Sequence, residues 1–375
     1  MTPQAAYLHI PFCAHHCGYC DFAVSAGQDH LIDLYLEAIT LELEKLEYPR
    51  PVQTIFLGGG TPTYLNVRQL ERLLSAIRKW LLLPDSPQGE FSIESTPDSI
   101  DPEKIAVLSE FDVNRISIGV QTFHAHLLPV LDRIHSPEQA APAIEMARKR
   151  IPRISLDLIF GIPAQSIADW QADLERAVTL GTDHLSTYGL TYEKGTPLWK
   201  DRQRGKVQSL DEELEREMYL LAIDHLSVSG FEHYEISNFA KPDCRCRHNE
   251  VYWANHAYYG FGVGAARYVD GKRELNVRNT NEYIRKVLSG ESPTFQSERL
   301  EGEERARETI AIQLRRCDGI DRAAYRVQTG FDLDELVGEK IGQYVGLGLL
   351  DDRGQGIRLT REGKCLADAI VAGLL

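Results

Sequence analysis

Three cysteines fall within eight residues, Cys13-Ala-His-His-Cys17-Gly-Tyr-Cys20, directly after an apolar run, Ala6–Ile10, that reads as a strand. Thiolates are soft ligands that suit iron–sulfur clusters and zinc. A structural zinc site wants four closed ligands. The chain has no second cysteine pair at the usual distance, although His15 or His16 offers a fourth donor. Three thiolates in a loop leaving a strand suit instead a cubane 4Fe–4S cluster with one iron left without a protein ligand. Such an iron takes an exchangeable ligand and is therefore a place for chemistry. The spacing points to the cluster, with zinc and unmetallated thiols as the alternatives.

Other polar residues fall where predicted strands end. Thr54–Leu57 runs into Gly58-Gly59-Gly60-Thr61-Pro62-Thr63. Glycines there let backbone approach a ligand, yet such a triplet alone is as readily a plain strand–helix turn, and its spacing is not that of a dinucleotide fingerprint. Glu94 closes a third strand, Gln121 follows a fourth, and Arg133 lies in Leu131-Asp-Arg-Ile-His135. Singly, each reads as a satisfied structural polar group. Asp157 is the exception. It interrupts the apolar run Ile154–Ile159, and a carboxylate amid strand residues needs a partner or a ligand.

The elements that must position these residues alternate. Strands are expected at Ala6–Ile10, Thr54–Leu57, Glu90–Ile93, Arg115–Ile118, Ile154–Leu158 and His184–Tyr188. Helices are expected at Leu31–Glu47, Asn66–Leu82, Asp101–Glu110, Ser136–Lys149 and Ala168–Leu180. Six strands with helical crossovers predict an α/β fold whose parallel series curls toward a barrel or lies as an open doubly wound sheet, with its functional residues at the carboxyl ends in either case; the architecture expected is a partial (βα)6 TIM-type barrel of parallel strands. A helix at Leu210–Ser227 ends the alternation, and an aromatic stretch without clean period, Phe231 to Tyr268, follows. Helices at Glu301–Arg316, Ile320–Thr329 and Asp332–Gly346, a hairpin at Leu349–Leu359 turning at Arg353–Gly356 and a last helix resemble a winged-helix module. The expected organisation is a core over 1–230, a small α+β segment over 231–297 and a helical, winged-helix-like domain over 298–375.

Composition narrows the function classes. Lys and Arg number 41 against 55 Asp and Glu, a net charge of −14, which speaks against duplex nucleic acid as a partner. No apolar run approaches the roughly 18 residues of a membrane helix, so membrane contact is at most peripheral. The first residues lack the charged and apolar regions of a secretion signal, and seven cysteines are not a disulfide framework. The expectation is a reduced, cytoplasmic protein.

The spacing Cys-x3-Cys-x2-Cys resembles the radical S-adenosylmethionine superfamily. That resemblance implies a 4Fe–4S cluster on Cys13, Cys17 and Cys20, with the amino and carboxylate groups of S-adenosylmethionine chelating the fourth iron. One electron from the cluster then cleaves the sulfonium to methionine and a 5′-deoxyadenosyl radical. Tyr7, Tyr19, Gly60, Thr61, Glu94, Gln121, Arg133 and Asp157 match the cofactor contacts of a subgroup that contains the oxygen-independent coproporphyrinogen III oxidases. In that subgroup Arg133 would pair with the cofactor carboxylate and Asp157 would accept from ribose hydroxyls. The oxidase pattern has a further cysteine where this chain has Phe22, and Cys-Asp-Phe instead resembles the HemW heme chaperones. His248-Asn249-Glu250-Val251-Tyr252-Trp253 looks like the HNxxYW heme-associated motif of that family. His248 would then offer an imidazole to heme iron, and Tyr252 with Trp253 an aromatic wall. Without the resemblance, these are a histidine and two aromatics in an ordinary core. Cys244 and Cys246 lie close by as further donors, with a plain thiol role the simpler reading. The chain departs from the family at Glu94-Ser-Thr-Pro97, where Glu-Ala-Asn-Pro is usual, and at Gly264-Ala-Ala-Arg267, where Gly-Ala-His is common. The resemblance implies a heme chaperone serving a client hemoprotein, with a heme donor as a further partner. The alternative is a decarboxylating coproporphyrinogen III oxidase, and a zinc-stabilised binding protein is a third class.

Overall fold

The computed structural model describes residues 2–85 and 88–375; Met1, where the reading of the N terminus starts, lies outside them. β1 (Ala5–Ile10), β2 (Thr54–Gly59), β3 (Glu90–Ser95), β4 (Arg115–Gln121), β5 (Arg153–Phe160) and β6 (His184–Gly189) lie side by side in chain order, every neighbouring pair parallel. Parallel neighbours need long crossovers. These are α1 (Ile32–Glu44), α2 (Val67–Trp80), α3 (Pro102–Glu110), α4 (Ala140–Arg148) and α5 (Ile167–Thr179). α2 shows why the sequence folds this way. Leu70, Leu73, Leu74 and Ile77 recur at helical spacing and are buried. Asn66 accepts from the Gln69 N–H at 3.0 Å, and the Gln69 side chain accepts from the Asn66 N–H at 3.1 Å, satisfying two first-turn donors.

Strands added in strict chain order curl the sheet into the expected partial barrel. Along each strand alternate residues face opposite sides. On β5, Ile154, Leu156 and Leu158 pack outward in the core under the helices, while Ser155, Asp157 and Ile159 alternate with them. The inward row is therefore rich in polar groups, and above it Leu127, Leu131, Ile159, Ile162, Leu190 and Leu198 form a separate apolar cluster.

The barrel stays open because both flanking strands carry other partners. After α6 (Pro197–Gln203) and α7 (Glu212–Val228), the aromatic stretch supplies β7 (Glu232–Glu235) and β8 (Asn238–Ala240), with β8 antiparallel to β6. It then forms α8 (Arg247–Trp253) and β9 (Tyr258–Phe261), which pairs parallel to the free side of β1. β10 (Ala266–Val269), β11 (Lys272–Asn276) and, past α9 (Thr280–Leu288), β12 (Thr294–Arg299) extend that edge into one 12-stranded sheet. β7 to β11 have three to five residues each, too short to show a period, which is why the aromatic stretch reads as irregular.

The last segment has its own core. α10 (Gly302–Gln313), α11 (Arg322–Thr329) and α12 (Leu333–Gly346) enclose Ala306, Ile310, Tyr325, Val337 and Ile341 against the small sheet β13 (Ile320–Asp321), β14 (Leu350–Asp352) and β15 (Gly356–Leu359). The β14–β15 hairpin turns where the sequence predicts. The expected last helix is split into α13 (Arg361–Cys365) and α14 (Ala367–Leu374).

Candidate functional site

The cysteine loop leaves β1 and is fastened at several points. Phe12–Cys13 pairs with Ser25–Ala26, Gly18 N–H donates to Leu131 C=O at 3.3 Å, and Leu198 N–H donates to Gly18 C=O at 2.9 Å. All three thiols are free and half-buried. Burial pushes Cys13 up to about 11 and raises Cys17 and Cys20, and neighbouring cysteines add to the rise at Cys13 and Cys20. Three crowded thiols become thiolates readily only when a cation binds them. His15 pairs with Asp132 at 3.1 Å, and His16 is bonded to the Cys20 carbonyl at 3.1 Å. Each imidazole thus has its Nε2 turned to a partner other than the thiols, which leaves only Nδ1 as a donor to a metal. The donor set fits an iron–sulfur cluster held by three cysteines.

The glycine run lies against this loop. Gly60 N–H donates to Ile10 C=O at 2.9 Å and Thr61 N–H to Phe12 C=O at 2.8 Å, which brings Thr61 Oγ1 to 3.4 Å from Cys13 Sγ. The glycines are required by close packing. A Cβ on Gly59, whose φ is +105°, would lie 2.3 Å from the His9 ring, and one on Gly58 would lie 2.8 Å from Glu94 Oε2. Glu94 accepts from Gly59 N–H at 2.8 Å; burial, helped by the Asp157 charge, pushes its carboxyl up to about 8. Asp157 accepts from Ser117 Oγ at 3.0 Å, and burial raises it against the bonds from Ser186 and Ser117 and the charge of Arg133.

Arg133 is half-buried and donates to Tyr19 OH at 2.9 Å; its Nε is buried with no hydrogen-bond partner among the described residues. Gln121 ends β4 at φ +67°, where the register with β5 slips. A Cβ on Gly119 would meet Gln121 Nε2 at 2.8 Å and Arg133 Nη2 at 3.3 Å, so this glycine clears room for both. Tyr7 stands lower in β1, its hydroxyl 3.0 Å from His9 Nδ1. The fold thus brings Cys13, Cys17, Cys20, Tyr19, Gly60, Thr61, Glu94, Gln121, Arg133 and Asp157 to the carboxyl ends of the strands. Gly119, Ser117 and Ser186 shape the same cradle and were missed by sequence reasoning; a glycine inside a strand pattern was the available signal at Gly119.

His248, Tyr252 and Trp253 lie at the other end. Arg247 and His248 N–H, the first of α8, donate to Glu90 at 3.1 Å each. Glu90 opens β3 and also pairs with buried Arg115 at 3.4 Å. The His248 ring bonds Thr54 Oγ1 through Nδ1 and Tyr252 OH through Nε2, each at 2.9 Å, and stacks on Phe56. Burial pushes it down to about 4, against the Glu90 charge. Thr54 opens β2 and Gly59 closes it, and five extended steps span roughly 16 Å. His248 is a neutral imidazole with both nitrogens in use, so an axial role for it would require one of these bonds to break. Tyr252 packs edge-on to Tyr258, while Trp253 is half-buried beside a cavity of about 300 Å³ lined also by Tyr234, Arg245, Val251 and Arg316. Cys246 is buried with its thiol 3.5 Å from Glu90. Arg267, at the second departure from the family pattern, bonds Glu274 at 2.7 Å and Thr294 at 2.8 Å.

Comparison with known proteins gives the family and the fold. The Radical SAM superfamily profile matches residues 7–177, and the HemN C-terminal domain profile matches residues 300–366. The chain is 35% identical to the heme chaperone HemW of Bacillus subtilis, covering 99% of each chain. It is 38% identical to that of Synechocystis, over 85% of this chain and 80% of the relative. It is 32% identical to a mitochondrial radical S-adenosyl methionine domain-containing protein 1 from Danio rerio, over 98% of this chain and 86% of the relative. Coproporphyrinogen III oxidase HemN from Escherichia coli shares the fold, with a TM-score of 0.86 at 23% identity over 100% of this chain and 90% of that one.

Proposed function

The chain belongs to the HemW family of the radical S-adenosylmethionine superfamily, and from that premise we propose that it is a heme chaperone that binds heme and hands it to a client hemoprotein in the cytoplasm. Cys13, Cys17 and Cys20 would hold a 4Fe–4S cluster. Its open iron would face the amino and carboxylate groups of S-adenosylmethionine, with the glycine run and Thr61 alongside. When bound, the pair supplies one-electron cleavage of the sulfonium, and the protein's part is to orient and shield it. Arg133, half-buried with an unpartnered Nε among the described residues, is suited to the cofactor carboxylate, and Asp157 to its ribose hydroxyls. Tyr7, Tyr19, Glu94 and Gln121 complete the cradle. In this reading 1–230 is the cofactor core, 231–297 the heme-associated region and 298–375 the C-terminal domain.

The observation that carries the choice of chaperone over oxidase is Phe22. Where the oxidase pattern continues with a cysteine, this loop has a phenyl ring that is 62% exposed. Reconstituted protein, supplied with reductant and S-adenosylmethionine, is expected to bind heme stoichiometrically and leave coproporphyrinogen III unconverted. Efficient formation of protoporphyrinogen would promote the oxidase reading instead. The Cys13→Ala, Cys17→Ala and Cys20→Ala variants are each expected to lose the visible absorbance of the cluster, and full iron and sulfide in the triple variant would sink the cluster assignment.

A further inference from the structure

A second group of metal-type donors lies outside the cradle, between the loop that follows β4 and the first turns of α5. We propose that His124, His126 and Asp169 form a divalent transition-metal site of the zinc type. Their donor atoms all lie within 4.8 Å of one another. His124 Nδ1 is 3.6 Å from Asp169 Oδ1, and His126 Nε2 is 3.8 Å from Asp169 Oδ2. In a tetrahedral zinc site with bonds of about 2.0–2.1 Å, donors stand roughly 3.3 Å apart, so small side-chain rotations close the set.

The surroundings already orient it. His124 Nε2 lies 2.9 Å from the Asp169 carbonyl, a bond that places the ring proton on Nε2 and leaves the Nδ1 lone pair for a metal. Ser166 N–H and Oγ both donate to Asp169 Oδ2, at 2.9 and 2.6 Å, which fixes the carboxylate and leaves Oδ1 uncommitted. Behind the site, buried Asp173 accepts from Thr122 Oγ1 at 2.8 Å and Phe123 N–H at 2.7 Å, and its Oδ1 stands 3.7 Å from His124 Nε2. His126 is 57% exposed on its side chain, so water has access to complete the coordination. Two imidazoles with a carboxylate select zinc, nickel or cobalt over magnesium and calcium, which prefer all-oxygen shells. A bound ion would tie α5 to the loop that begins at Gln121 and ends at Arg133.

The test uses tag-free protein with its cluster reconstituted anaerobically, so that the three cysteines are occupied. Calorimetric titration with zinc chloride is expected to show one further equivalent bound, and absorption at the zinc edge to show nitrogen and oxygen donors only. His126→Ala, at an exposed position, and Asp169→Asn should each weaken zinc binding tenfold or more with the cluster absorbance unchanged. Should Asp169→Asn disturb the start of α5, His126→Ala decides alone. Sulfur in the zinc shell, wild-type affinity in His126→Ala, or no uptake by the wild-type protein would each overturn the site.

Discussion

Asp157 and Glu94 are two carboxylates facing one barrel interior, and burial makes both reluctant to ionise. Arg133 is the nearby cation that favours ionised Asp157. If Asp157 accepts from a ribose and Arg133 pairs a carboxylate, Asp157→Ala and Arg133→Ala should each weaken S-adenosylmethionine binding while the cluster still assembles. Losing one charged hydrogen-bond partner costs roughly 1.5–3 kcal/mol, or about ten- to a hundredfold in affinity. Unchanged calorimetric affinity in both variants would mark these residues as structural. Glu94 gives a separate handle through pH. Its folded value of about 8 lies above the ordinary 4.5, so the folded state holds the proton more tightly than the unfolded chain. That contribution to stability is fully present below about pH 4.5 and is lost as the pH rises to about 8. Glu94→Gln should flatten the fall in cofactor-free protein, and parallel denaturation midpoints for both proteins across that window would contradict it.

At the scale of elements, α8 shows how a short helix is held by what lies beneath it. Seven residues cannot sustain a helix alone. Glu90 accepts its first two N–H groups and neutralises Arg115, while Thr54 fixes the His248 ring. Glu90→Ala would strand a buried guanidinium, a loss of about 3–5 kcal/mol by urea unfolding. His248→Ala leaves two hydroxyls unpaired and a void, at about 2–4 kcal/mol. Trp253 is half-buried and packs 5.8 Å from Arg315, so Trp253→Ala should lower heme affinity with little change in stability. A heme complex whose Soret band is altered by His248→Ala, in protein still folded, would show that the imidazole leaves Thr54 or Tyr252 to bind iron.

Across the whole molecule, the two ends of the barrel are built differently. The carboxyl ends carry the cysteine loop and its cradle; the amino ends are closed by α8, which the C-terminal domain supports from outside. Gln313 and Gln328 both donate to the Ala254 carbonyl at the end of α8, at 3.0 and 2.9 Å, and Asn255 donates to Thr309 at 3.0 Å. Among the described residues, no helix is long and apolar enough to cross a membrane. A chain ending at Glu301 loses these supports but keeps β1–β6 and the cysteine loop. It should assemble the cluster and bind S-adenosylmethionine while losing heme affinity. Equal losses of both would mean that the domain stabilises the barrel as a whole.

The sequence alone determined what depends on neighbours along the chain. The six strands with their crossovers, the cysteine loop and the polar strand ends were all legible, because hydrogen-bonding reach and apolar period act over a few residues. The parallel order then sent every strand end to one rim, so Glu94, Gln121 and Asp157 could be placed together before any coordinates. Tertiary structure decided what depends on partners far apart in the chain. Thr54 and His248 are 194 residues apart, and only the packing of α8 beneath β2 brings a partner to the imidazole Nδ1, whereas Nε2 is taken within α8 by Tyr252. β7–β11 are too short for a period and become strands because β1 and β6 offer unpaired edges on which β9 and β8 start the extension. His124 meets Asp169 across 45 residues for the same reason: adjacent βα units bring a loop and a helix start side by side, and no local pattern records which side chains then face each other.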